Sequence, residues 1–159
     1  MQKNLNEKFM RLAINEARKN LLSIDGGPFG ACIVKGNKII AVARNTVLKS
    51  DASSHAEINA IRKASRKIKN FDLSGCFIYS TTEPCPMCFS AIHWARLEGV
   101  AYGTTIADVK KRGFHELRIS ALRLKKLGRS SVKVFSGFLR DECEKLLCQW
   151  DKLEDKRIY

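Results

Sequence analysis

Along the first twenty-one positions, Leu5, Phe9, Leu12, Ala13, Ala17 and Leu21 recur at three- and four-residue spacing between charged neighbours. That spacing predicts an amphipathic helix whose apolar stripe packs on a sheet. Gly26-Gly27-Pro28 ends it, because two glycines and a proline do not continue a stable helix. Two short apolar runs, 31–34 and 39–43, flank Lys35-Gly36-Asn37-Lys38 and read as a hairpin. A second helical pattern covers 55–68, with Ile58, Ile61, Ala64 and Ile68 on one face. A strand over 76–80 then leads into a helix over 85–96, with Ala91, Ile92 and Ala95 for packing and Trp94 along it. A strand over 100–103 follows, and the next 25 or so residues give room for a crossover helix holding Leu117, Ile119, Ala121, Leu122 and Leu124. After it, 132–135 can pair parallel to the preceding strand, and 139–150 reads as a closing helix.

Helix, hairpin, then strands alternating with helices implies an α/β fold: a mixed sheet covered on both faces, in three α/β/α layers. With 159 residues and 45% hydrophobic content, one domain spanning 1–159 around a single core is expected. No apolar run approaches the length of a membrane span and residues 1–9 are polar, so the expected location is cytoplasmic. Cys32, Cys76, Cys143 and Cys148 lie in apolar segments as free thiols, without a disulfide framework.

The formal net charge of +13 permits a polyanionic partner such as RNA without demanding one. Much of it sits in Lys110-Lys111-Arg112 and between Arg123 and Arg129 without interleaved aromatics, which favours a solvated basic face over a base-stacking surface.

The chemistry concentrates between His55-Ala56-Glu57 and Pro84-Cys85-Pro86-Met87-Cys88. One imidazole and two thiolates supply the three protein ligands of a zinc ion that keeps a fourth position for water. His55, Cys85 and Cys88 meet that count, one Zn2+ per subunit, and Glu57 is placed two residues past the histidine as acid and base. Ser53 and Ser54 before one half-motif, and 82–86 before the other, are of the polar or proline type that precedes helices, so both halves should open helices. Aligned peptide dipoles there would favour the thiolates. A closed structural zinc site would require a fourth ligand such as His93, His115 or another cysteine and leave Glu57 unexplained, and a redox Cys-x-x-Cys would leave His55 idle. Asn45, just past the second hairpin strand, carries an amide able to read a heterocycle edge, although a turn asparagine is the plainer alternative.

The H-x-E and P-C-x-x-C pair is the signature of zinc nucleobase deaminases, and the chain resembles the cytidine-deaminase-like superfamily over nearly its whole length. That resemblance implies a five-stranded mixed sheet. Gly26-Gly27-Pro28-Phe29-Gly30-Ala31, Asn45, Ala91-Ile92-His93-Trp94-Ala95-Arg96, Asp108 with Gly113-Phe114, and Tyr159 look like the small bacterial guanine deaminases. Similarity to those enzymes implies hydrolysis of guanine to xanthine and ammonia in a homodimer whose C-terminal segments are exchanged between subunits. It further implies that Asn45 and Asp108 bind the base, that Phe29 and Trp94 line its pocket, that Tyr159 closes the partner's site, and that Glu116 assists proton transfer. His115, where relatives often carry a further acid, and the basic run 110–112 depart from the pattern. The rival readings are a tRNA adenosine deaminase, a cytosine deaminase, and a zinc-stabilised RNA-binding module without turnover.

Overall fold

A computed structural model describes residues 5–159, so the first four residues of the polar N-terminal stretch lie outside it. Helix α1 (Glu7–Arg18) begins where the Asn6 side chain accepts the Lys8 N–H, and a short 3-10 turn, Lys19–Leu21, extends it. The hairpin follows as β1 (Gly30–Lys35) and β2 (Lys38–Arg44), then α2 (Ala56–Ile68), β3 (Cys76–Thr82), α3 (Pro86–Trp94) and β4 (Gly99–Thr104). The chain closes with α4 (Ile106–Lys110), α5 (Ala121–Leu127), β5 (Lys133–Phe135) and α6 (Arg140–Asp151).

The five strands form one mixed sheet in the order β2-β1-β3-β4-β5, antiparallel on either side of β1 and parallel from β3 to β5. One face buries Phe9, Met10, Ala13, Ile14 and Ala17 of α1 together with Cys143 and Leu146 of α6 against Cys32, Val34, Phe77, Tyr79 and Ala101. The other buries α2 and α3 against Ile33, Ile78 and Val100, with Ala121 of α5 at its edge. These are the expected three layers around one sheet. Strand β1 runs antiparallel to β2 and β3, so its start lies beside the ends of the other strands, and Phe29, Arg44, Thr82 and Thr104 all fall at one edge of the sheet.

Two elements differ from the sequence pattern. In α2 the buried stripe is Ala56, Ala60 and Ala64, while Ile68 is exposed and Ile58 and Ile61 are half-buried. The helix turns Glu57 inward, and the small alanines at i, i+4 spacing let its backbone lie close to the sheet. The crossover helix is shorter than its apolar residues suggested, since Leu117 and Ile119 precede α5 in irregular chain and are exposed. Among the described residues, no helix is long and apolar enough to cross a membrane.

Candidate active site

His55 is the N-cap of α2 and Cys85 the N-cap of α3, both in extended backbone, so both half-motifs open helices at the same edge of the sheet. Pro86 occupies the first helical position of α3, where its missing N–H costs nothing, and Cys88 follows one turn on. His55 Nδ1 stands 3.6 Å from Cys85 Sγ and 3.5 Å from Cys88 Sγ, and the three ligand atoms all lie within 4.8 Å of one another. In tetrahedral zinc coordination, bonds of about 2.0 Å to nitrogen and 2.3 Å to sulfur put those two atoms about 3.5 Å apart. The geometry therefore fits the ion. Among the described residues no fourth His, Cys, Asp or Glu joins the group, and His93, one candidate for a closed site, instead meets Ser130 Oγ at 3.0 Å.

The electrostatics also favour a cation. The Cys85 thiol is pulled down to about 4, first by its hydrogen bond from Cys88 and then by His55, against the effect of burial. Burial pushes the Cys88 thiol well up, because a second thiolate beside Cys85 and Glu57 needs positive charge to offset it. Burial alone would lower the His55 pKa, but the bond to Cys85 and the Glu57 charge outweigh it and raise it.

Glu57, 6% exposed, has one carboxylate oxygen 3.1 Å from Ser80 Oγ and the other 3.5 Å from Cys88 Sγ. Burial raises its pKa above the usual carboxylate range, the direction that would suit a carboxyl to exchange protons near working pH. Glu116, on the loop between α4 and α5, faces the same pocket, and burial followed by the Cys85 charge raises it to about 7.

Next to these groups is a cavity of about 370 Å3, lined by Phe29, Asn45, Glu57, Phe114, Glu116 and Tyr159 among others. Phe114 joins the aromatic wall edge-on, its ring centroid 5.2 Å from Phe29 and 5.3 Å from Tyr159. Tyr159 folds back onto its own chain: its hydroxyl accepts the Gly27 N–H at 3.1 Å and its backbone carbonyl accepts the His115 N–H at 3.0 Å. The Asn45 side-chain oxygen accepts the Val47 N–H at 3.1 Å, and its side chain also hydrogen-bonds the Tyr159 phenol. The paired glycines are required here, since a Cβ on Gly26 would collide with Asn45 Oδ1 and one on Gly27 would stand 2.9 Å from the Tyr159 hydroxyl.

Of the residues expected at the site, His55, Glu57, Cys85, Phe29, Asn45, Glu116 and Tyr159 all line this pocket. Cys88 lies beneath it, fully buried. Trp94 and Asp108 do not line it. Trp94 is the last residue of α3, about 13 Å along the helix from Cys85, and is 78% exposed. Asp108 closes a capping box with Thr105 and pairs with Arg140 at 2.8 Å, so its carboxylate is committed to α4 and α6.

Two buried polar residues escaped the sequence reading. Asn20, fully buried, donates to the carbonyls of Gly27 at 2.7 Å and Asn45 at 2.8 Å, stapling two pocket-forming loops together. Glu83 borders the pocket and accepts backbone N–H groups from Ile106 and Ala121. Its one sequence signal is that it carries the only charge between Cys76 and Pro84.

A family model for the cytidine and deoxycytidylate deaminase zinc-binding region matches residues 3–104. A guanine deaminase of Bacillus subtilis is 42% identical over 111 residues, covering 69% of this chain and 71% of the relative. A tRNA-specific adenosine deaminase of Buchnera aphidicola is 34% identical over 155 residues, covering 96% of this chain and 97% of the relative. Among solved structures, guanine deaminase from Nitrosomonas europaea superposes with a TM-score of 0.85 at 29% identity, over 94% of this chain and 86% of that one.

Proposed function

The chain belongs to the cytidine and deoxycytidylate deaminase family, and from that premise we propose that it hydrolyses guanine to xanthine and ammonia. Guanine C2 carries an amino group and is double-bonded to a ring nitrogen, the same electronic situation as cytosine C4 and adenine C6. The metal centre therefore sets the reaction type, and the pocket sets the base.

His55, Cys85 and Cys88 would hold the zinc, which when bound supplies a water of lowered pKa at its fourth position. Glu57 would be the group that accepts a proton from the attacking water and delivers it to the ring nitrogen beside the carbon under attack. The carbon–oxygen bond forms and the carbon–nitrogen bond breaks; of the two protons of the consumed water, one leaves with the amine as ammonia and the other stays on the ring nitrogen of xanthine. Glu57 and Glu116, both raised by burial, hold protons at two positions around the reacting carbon. Asn45 holds the base edge, its amide oriented by Val47 and Tyr159. Phe29 and Phe114 form an apolar wall that excludes water from the ring.

The observation that carries the guanine reading is the roof over the pocket, built from Phe114 and Tyr159 and anchored at Gly27, which suits a small free base. The test is ammonia release by purified protein from guanine, cytosine, adenine, guanosine and tRNA offered separately. Release from guanine alone supports the assignment. No release from guanine, with release from another substrate, defeats it.

A second reading, deamination of adenosine in tRNA, is favoured by one observation. The stretch 109–133 holds nine Lys or Arg residues against a single acid, Glu116. Among the described residues only Arg112 of that set is ion-paired, with Glu144 and Asp151. Salt separates the readings: binding through several phosphates weakens by orders of magnitude as salt rises, whereas turnover of a neutral base responds little.

A further inference from the structure

We propose that Glu83 is a positioning residue: one buried carboxylate pins both ends of the segment 106–121 and thereby holds Phe114 and Glu116 over the metal-ligating loop. This rests on the reading of Glu116 as a proton carrier.

Glu83 is 7% exposed. Its Oε2 accepts the Ile106 N–H at 3.0 Å and its Oε1 accepts the Ala121 N–H at 2.9 Å. Those are the first residues of α4 and α5, so two helices start from opposite oxygens of the same group. The carboxylate is itself fixed, because the Glu83 N–H bonds to the Thr104 carbonyl at 2.8 Å and Pro84-Cys85 follows directly. The Tyr102 hydroxyl also bonds to it, and burial together with the Glu83 charge pushes that phenol up to about 12. Between its pinned ends the segment carries Phe114, whose ring meets Phe29 and Tyr159, and Glu116, whose backbone carbonyl accepts Lys110 Nζ at 3.1 Å.

A glutamine could not replace this group. Two N–H donors converge on two acceptor oxygens, whereas an amide offers one acceptor and one further donor. A carboxylate buried at this point costs free energy unless both oxygens are satisfied, and here both are. The aromatic wall and the second proton carrier are thereby held in a common frame by a residue at the border of the pocket.

The test is a cycle of Glu83→Gln, Glu116→Gln and the double variant, assayed on whichever base the unaltered protein deaminates. Zinc content and hydrogen exchange of residues 113–117 are read alongside. Glu83→Gln should retain zinc, speed exchange at 113–117, and lower kcat/KM by about tenfold or more, the effect of one lost charge-assisted hydrogen bond. On top of Glu116→Gln it should cost clearly less than it does alone, because one of the two groups it positions is already gone while Phe114 still depends on it. Full additivity, unchanged exchange at 113–117, or loss of zinc would each overturn the proposal.

Ala121→Pro provides a second route that leaves Glu83 in place. It deletes one of the two N–H donors at a first helical position, where proline is tolerated, after Ser120 in the extended backbone proline requires. It should reproduce the faster exchange at 113–117, and normal exchange there would count against the pinning role. Zinc content and exchange do not depend on the substrate, so failure of guanine as substrate leaves this result readable by itself.

Discussion

Removing the hydroxyl of Tyr159 tests how the pocket roof is held. Tyr159→Phe keeps the ring, and with it the edge-on contact to Phe114, but leaves the buried Gly27 N–H without its acceptor. An orphaned buried donor costs about 1–3 kcal/mol, which is roughly a 5- to 150-fold change in an opening equilibrium. A terminal segment can undock without global unfolding, so the sensitive assay is hydrogen exchange resolved at single amides. Exchange at Gly27 should rise by that factor. Exchange at His115, whose N–H is held by the backbone carbonyl of Tyr159, should rise less. Tyr159→Ala, which removes the ring as well, should expose both amides. Because the segment docks on its own chain, these changes should not depend on protein concentration. Unchanged exchange at Gly27 in Tyr159→Phe would refute the anchoring argument. A strong concentration dependence would mean that the segment docks on a second copy instead.

Two further outcomes follow from the site and its surroundings. Glu57→Gln preserves shape but cannot carry a proton, so turnover should fall by about 10²–10⁴-fold while zinc content by metal analysis stays at that of the unaltered protein; a loss of less than tenfold would remove Glu57 from the chemistry. Asp108 is held well below the usual carboxylate range, first by its hydrogen bond to Arg140 and then by Thr105. A depressed folded-state pKa contributes stability that is complete above the unfolded value of about 4 and is lost as pH falls through the folded value. The urea midpoint of the unaltered protein should thus drop more steeply below pH 4 than that of Asp108→Asn, and parallel profiles would contradict the ion-pair account.

The elements most legible in the sequence were those whose signal is local. Hairpin strands β1 and β2 announced themselves through short apolar runs around a glycine turn, and both metal half-motifs through the residues that start helices. What stayed hidden depends on partners far along the chain. Glu83 reaches Ala121 across 38 positions and Asn20 reaches Asn45 across 25, and no periodicity encodes either bond. Helix α2 misled for a different reason: large isoleucines suggest a buried face, but the sheet selects the alanine stripe that brings Glu57 inward. For Trp94 the obstacle was distance, because a residue on a metal-bearing helix need not lie near the metal once two further turns intervene.

The antiparallel placement of β1 has a practical consequence. All the groups assigned to chemistry gather at one pole of the sheet, and the opposite pole carries the Lys35–Lys38 connection, where a side chain added at Gly36 would meet nothing within 4 Å. Gly36 itself sits at φ +56, so the bend there is set by glycine and makes no demand on its surroundings. A reporter domain or surface tether grafted at that bend would hang from the far side of the molecule, leaving the entrance for the base unobstructed.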